Sequence, residues 1–484
     1  MKKTNTKAPA YLLFILSLGY IMAVLDTTGV VLAVPHIEKA MSVSLEQSIW
    51  IINAYTLALG SLLLLSGNLT TKYGAKRILL VGMTIFTLAS LGCSFSPNIE
   101  TLIILRFIQG FGASLFMPSS LALLFISYPD STKRARMLGI WTAIISVATG
   151  TGSFIGGLII NYFGWRGIFL VNIPFGILTV ISILLLVKNN IANLKTRIDI
   201  FSNIFLVTTI GSLVIYLVEG NQYGYSNSNL LLFLLLFILF AIGLVVHDKK
   251  SKAPIVPHQL LKNAKFIVSN LLGLVVNISL YGIVLVLGLY FQTYLNLSSM
   301  VSGLLILPGM IVLIIGNLFY ARAVKRFSVG SLATVSIIFA IVGAAGIFGI
   351  GVLFHEIQLY ILIPLFSLMS LGIGVLTPAT TTILMEAAGQ ELSGIAGATL
   401  NANKQIGGLF GTTIMGIVTT NLSHDWNIVI VVAFLFNVIM YIATWLIASR
   451  YLYGKEKNKT KQNAINLKVD CVLYYFSAQL LQSS

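Results

Sequence analysis

The chain has 484 residues, 57% hydrophobic and 9% charged, with a formal net charge of +16 and a mean hydropathy of +0.95. Soluble globular proteins carry about 25% charged residues, so this composition excludes a soluble fold and specifies a polytopic helical membrane protein. The bases lie between apolar runs, which excludes a nucleic-acid surface, and Cys93 and Cys471 form neither a disulfide framework nor a metal cluster.

Taken in order, the apolar runs predict fourteen membrane helices, at 10–33, 49–69, 78–96, 102–124, 137–158, 166–187, 199–218, 229–247, 268–291, 301–320, 331–353, 357–383, 396–419 and 427–449. The first follows Lys2, Lys3 and Lys7. It is long and has no small-residue cleavage site, so it reads as a retained helix rather than a signal peptide. It carries Asp26 in Leu25-Asp26-Thr27-Thr28, toward its outer end. A charge in hydrocarbon is costly, so an acid there faces a cavity or a partner. Asp26 is therefore read as a protonation site that changes ionisation when a gate hydrates it. The plainer reading is a helix-end group in headgroup water.

After helix two, Gly67-Asn68-Leu69-Thr70-Thr71-Lys72-Tyr73-Gly74-Ala75-Lys76-Arg77 reads as a tight basic turn. Its glycines permit sharp reversal. Its bases can pair with acids or with the C-terminus of a neighbouring helix, or simply fix topology. Arg106 opens helix four just inside the outer interface, followed by Gln109 and Gly110. It needs acceptors or water, and steers a nearby carboxylate, holds carbonyls, or snorkels. In helix five, Gly150, Gly152, Gly156 and Gly157 allow close helix approach, as a bend, a seal between halves, or plain packing. Helix thirteen carries Asn401, Lys404 and Gln405 ahead of Gly407, Gly408 and Gly411. Lys404 is a second intramembrane charge that faces a cavity or snorkels.

Trp50, Trp165 and Trp426 fall near outer boundaries and read as interfacial anchors. Glu219 reads as solvated, and Glu386 and Glu391 as part of a cytoplasmic connection. Lysines at 455, 457, 459 and 461 open a cytoplasmic tail, in which 467–481 is too short for a fifteenth span. No phosphate loop, zinc signature or nucleophile constellation is present, so neither an enzyme nor a cofactor or metal site is expected.

Bases at Lys72, Lys76 and Arg77, at Lys133, Arg134 and Arg136, at Lys188, Lys195 and Arg197, at Lys249 to Lys265, and at Arg322 to Arg326 follow the even-numbered helices. The opposite loops have only Lys39 and Arg166, so the positive-inside rule places both termini in the cytoplasm. Gly67-Asn68-Leu69 recurs as Gly316-Asn317-Leu318, and Ile155-Gly156-Gly157-Leu158 as Ile406-Gly407-Gly408-Leu409. Both echoes shift by eight helices. They predict a six-helix bundle at 1–190, two inserted helices at 191–265, a second six-helix bundle at 266–450 and a tail at 451–484, with the bundles related as parallel repeats.

These residues resemble the major facilitator superfamily, and within it the fourteen-helix drug:proton antiporters of the second type. Leu25 to Ile37 resembles their first-helix signature, and Gly67 to Arg77 the superfamily's loop motif. Arg106, Gln109, Gly110 and Gly112 resemble the helix-four motif, and Gly152, Gly156 and Gly157 the antiporter motif of helix five. Gly164 to Gly176 resembles the start of helix six, and Asn401 to Gly411 helix thirteen. The resemblance implies alternating-access export of a lipophilic or amphipathic compound against protons, in a bacterial cytoplasmic membrane, by a protein functional as a monomer. Helices seven and eight, as an insertion, are expected outside the central cavity, serving packing or lipid contact.

Three departures matter. Thr71 stands where the loop motif has an acid, which puts the usual gate latch in doubt. Ser153 stands where helix five has proline. Helices nine to twelve lack Asp and Glu within the membrane, which argues against strongly dicationic substrates. A proton-coupled transporter of a specific metabolite, lipid or peptide would share these features. A non-transporting membrane scaffold or sensor would lack polar groups along a central cavity.

Overall fold

The computed structural model describes residues 10–128, 131–187, 199–251, 254–324, 326–354 and 357–453. The bases expected at 2, 3, 7, 188, 195, 197, 252 and 325, Glu356 and the tail from 454 lie outside them, as do the side chains of Lys133, Arg134, Arg136 and Glu391.

Among the described residues the fold is all helical. It begins with α1 (Ala10–Met41), α2 (Leu45–Tyr73), α3 (Ala75–Ser94), α4 (Ile99–Ser127) and α5 (Ser131–Phe163). Next come α6 (Gly167–Leu170), α7 (Asn172–Leu186), α8 (Ile200–Tyr223), α9 (Ser228–Lys250), α10 (His258–Leu261) and α11 (Ala264–Leu289). The chain continues with α12 (Ser299–Ala323), α13 (Val329–Leu353), α14 (Leu359–Leu422) and α15 (Trp426–Ala448). Polar caps start many of them. Ser44 and Gln47 form a reciprocal capping box on α2, and Asn98, Asp199, Ser298, Ser328 and Asp425 cap later helices.

Among the described residues, twelve helices are long and apolar enough to cross a membrane. The two remaining expected spans correspond to α5 and to the second arm of α14. That helix bends at Gly389, whose φ of 68° suits glycine, into arms at 359–388 and 390–422. The expected basic turn is shorter than the sequence suggests. Residues 67–73 continue α2, and the reversal into α3 rests on Gly74 alone, at φ 92°.

Helices in lipid gain little by hiding apolar surface from one another, so close backbone approach decides which pairs form. A Cβ on Gly156 of α5 would lie 2.5 Å from Gly29 Cα of α1. A Cβ on Gly407 of α14, the counterpart of Gly156 in the echo, would lie 2.9 Å from the Leu274 carbonyl oxygen of α11. The echoed motifs thus occupy matching contacts, α5 on α1 and the 390–422 arm on α11. Between these two groups, α5 meets α12, where Cβ atoms on Gly157 and Gly303 would strike the Ser299 and Ser153 carbonyl oxygens at 2.2 and 2.6 Å. The 390–422 arm meets α2, where Asn53 Nδ2 donates to Thr413 Oγ1 at 3.0 Å and Thr412 Oγ1 donates to Asn53 Oδ1 at 2.9 Å.

Helix α8 lies over that second seam. Its Ile210, Val214 and Val218 cluster with Leu57 of α2 and Leu409 of α14. Glu219, expected to be solvated, is half-buried and accepts a 2.7 Å hydrogen bond from Trp50 Nε1. Trp165 and Trp426, expected as anchors, are buried against Phe169 and Tyr290. Proximity to a span end does not distinguish a lipid-facing tryptophan from one that packs inward. Helix α9 buries only Leu230 and presents apolar side chains outward.

Candidate functional site

Asp26 stands near the middle of α1, not toward its outer end, because the helix continues past Pro35 to Met41. Its carboxylate is 1% exposed. Arg106 Nη1 of α4 donates to Oδ2. Gln109 Nε2, one turn along α4, donates to Oδ1 at 3.1 Å, and Asn172 Nδ2 at the start of α7 donates to the same oxygen at 3.3 Å. Ser90 of α3 accepts from Gln109 Nε2 at 2.8 Å.

Arg106 is fully buried. Its Nε donates to the Ile51 carbonyl at 2.9 Å, its Nη1 also donates to Gln109 Oε1 at 2.7 Å, and its guanidinium lies 4.2 Å from the centre of the Tyr55 ring. Burying an ion pair costs several kcal/mol per ion, and only good geometry with further hydrogen bonds offsets that. Five helices supply those bonds here. The arrangement can do one thing chemically that an apolar core cannot: a proton added to Asp26 leaves Arg106 without its counter-charge.

Asp26, Arg106 and Gln109 come together in this knot, and none of the three lines the cavity beside it. That cavity, of about 620 Å³, lies between α1, α2, α4 and α5 on one side and the arms of α14 on the other, with Asp199 and Asn203 of α8 at its edge. Asn401 lines it, as do Tyr20, Trp141 and Gln405. Lys404 is half-buried on the same arm and makes no hydrogen bond or ion pair with any described residue.

Gly67 and Thr71 also border the cavity. Thr71 Oγ1 bonds back to the Gly67 carbonyl at 3.2 Å, within its own helix. Lys72 lies over the Tyr73 ring, Lys76 Nζ donates to the Leu184 and Val187 carbonyls at the end of α7, and Arg77 is exposed. Of the α5 glycines, Gly152 and Gly156 face α1, whereas Gly157 faces α12. On α1, His36 Nε2 lies 2.6 Å from Ser299 Oγ, which donates to Gln292 Oε1 at 2.8 Å.

Asn172, Ser90 and Asn53 escaped sequence reasoning as site residues. Asn172 is the one amide in its apolar run, and Asn53 sits deep within one, which are the signals that could have found them. Ser90 gave none, because serine bonds to its own helix in many positions. Asp199 was also missed. It accepts from the Ser202 backbone N–H and from Ser251, and lies 3.0 Å from His247 Nε2 at the end of α9. Burial would raise its pKa, but those hydrogen bonds lower it to about 2. Among the described residues no group of His, Cys, Asp or Glu could hold a metal ion.

Residues 16–412 match the Major Facilitator Superfamily. The chain belongs to that superfamily. It is 36% identical over 426 residues to the methylenomycin A resistance protein of Bacillus subtilis (strain 168), covering 88% of this chain and 91% of that protein. It is 35% identical over 442 residues to the methylenomycin A resistance protein of Streptomyces coelicolor, covering 91% and 92%. The solved structure of a POT family transporter in complex with a thioalcohol-conjugated peptide has a TM-score of 0.67, 14% identity, and coverage of 90% of this chain and 96% of that one. That likeness is one of fold alone. This superfamily member is a multi-pass membrane transporter and not an enzyme.

Proposed function

We propose that this protein exports antibiotic-like lipophilic or amphipathic small molecules from a bacterial cell in exchange for protons, as a fourteen-helix antiporter of the second drug:proton type. Its two six-helix halves are residues 1–190 and 266–450. Helices α8 and α9 are the insertion, α5 and the 390–422 arm complete the fourteen spans, and both termini are cytoplasmic. One chain contributes both the ion pair and the cavity, which favours a functional monomer in the cytoplasmic membrane, with α9 facing lipid.

The observation that carries this reading is the buried Asp26–Arg106 pair, one residue shell from the seam between the halves. Arg106 holds the Ile51 carbonyl, and two residues along α2 Asn53 bonds Thr412 and Thr413. Protonation of Asp26 releases Arg106 and so acts on the same strip of α2 that grips the second half. By the positive-inside reading the cavity opens to the cytoplasm, and the His36–Ser299 and Asn53–Thr412 contacts seal the outer side. Substrate loads in this state, the halves rock, and Asp26 takes a proton from outside before the return.

The test uses proteoliposomes with an imposed proton gradient and a panel of amphipathic compounds. Gradient-driven movement is expected in the parent protein and lost in Asp26→Asn. Undiminished movement with unchanged proton stoichiometry in Asp26→Asn would overturn the coupling role.

A further inference from the structure

The charges around the cavity are unbalanced. Asp26 is committed to Arg106, Gln109 and Asn172. Asp199, the one carboxylate among the described lining residues, is committed to Ser202, Ser251 and His247. A cationic ligand entering here finds no free acid. Lys404 is in the opposite condition. It follows Gly397 and Asn401 along one stripe of the 390–422 arm, at the spacing that stacks side chains on one helix face. Both of those neighbours line the cavity, as does Gln405 beside it, and Lys404 stands just outside that lining, one turn past Asn401 on the same face. The stripe continues to Gly408, where a Cβ would lie 3.2 Å from the Tyr281 ring.

Lys404 also lies midway along its arm, roughly 22 Å from the Gly389 bend at 1.5 Å per residue. On the α5 wall, Trp141 Nε1 is buried with no hydrogen-bond partner among the described residues. An indole N–H can only donate. The Trp141 ring meets Tyr20 edge to face at 4.9 Å, which gives an apolar aromatic surface beside the donor.

We propose that this cavity binds amphipathic monoanions, carboxylates first among them, with Lys404 as counter-charge and Trp141 Nε1 as a hydrogen-bond donor. This rests on the export reading above and names the substrate class for it. The aromatic pair takes the apolar body and the unpaired donors take the headgroup.

Three naphthalene probes with one ring body and different headgroups test it: naphthylacetate, naphthylacetamide and naphthylethylammonium. Equilibrium binding is measured at neutral pH on the full chain in lipid nanodiscs. The parent protein binds the carboxylate about ten-fold or more tightly than the amide, as expected of a charge-assisted hydrogen bond. Lys404→Gln and Lys404→Met abolish that preference while leaving amide affinity within about two-fold. Lys404→Arg keeps the preference, and Trp141→Phe weakens carboxylate binding several-fold. A carboxylate preference untouched in both charge-removing variants overturns the proposal. So does a parent protein that binds the ammonium probe best, or shows no saturable carboxylate binding, whatever the variants do. Export of the compound panel is scored separately. Carboxylate preference without export removes the efflux reading and leaves this site. Export with a preference indifferent to Lys404 removes the site and leaves efflux.

Discussion

Arg106 and Asp26 neutralise each other inside the first half of the bundle, and neither charge has another ionic partner among the described residues. Removing one member of such a pair strands the other in a dry site, at a cost of about 3–5 kcal/mol. Arg106→Ala is therefore expected to lower the thermal midpoint of the detergent-solubilised protein sharply. The double variant Asp26→Asn/Arg106→Gln, with no charge left to strand, recovers part of that loss. Strictly additive losses in the double-mutant cycle would mean that the two side chains do not act as a unit.

Three glycines that look alike in sequence separate by what surrounds them. A Cβ on Gly67 meets nothing within 4 Å, so Gly67→Ala leaves stability unchanged or raises it by up to about 1 kcal/mol. A Cβ on Gly156 would lie 2.5 Å from Gly29 Cα within the first half, so Gly156→Ala pries α5 from α1 and destabilises the fold. A Cβ on Gly157 would lie 2.2 Å from the Ser299 carbonyl oxygen across the seam. Gly157→Ala is expected to open that seam while the first half stays folded. Alkylation of a cysteine placed at Ser299 would rise in Gly157→Ala and not in Gly67→Ala.

Much of this was legible in the chain because each constraint the membrane imposes leaves a coarse mark. Apolar runs mark helices, and an acid or guanidinium inside one marks a place that must be compensated, so Asp26, Arg106 and Gln109 could be named without a structure. Their meeting could not be read, since the bonds that join them span 80 and 83 positions. Nor could the amides Asn172 and Asn53, whose neutral side chains perturb hydropathy less than a charge does. Helix ends were misjudged at Pro35 and Gly74 because a membrane helix tolerates proline and continues into water. The direction of each α5 glycine depended on which helix lay opposite, and one turn of difference changes the partner.

Asn53 makes two hydrogen bonds across the seam to Thr413 and Thr412. At about 1 kcal/mol each, their loss shifts a two-state equilibrium by roughly 30-fold. Asn53→Ala is expected to populate the state in which α2 and the 390–422 arm separate. Spin labels on the two helices near these positions would show a new longer distance. An unchanged distance distribution would mean that the glycine contacts alone hold the seam.

The Asp199 cluster gives a pH signature with a definite sign. Hydrogen bonds from Ser202 and Ser251, with His247 alongside, outweigh the effect of burial and lower its pKa from 3.8 to about 2. A group whose pKa falls on folding adds stability that is present above its unfolded value and lost as pH drops through the folded one. The ionised Asp199 thus ties the start of α8 to the end of α9 throughout the neutral range. Asp199→Asn keeps the helix cap but removes the charge that the cluster is built to hold. The gap in thermal midpoint between the parent protein and Asp199→Asn should be full above pH 3.8, shrink as pH falls, and close near pH 2. A gap that widens on acidification would mean that His247, rather than the carboxylate, governs the tie.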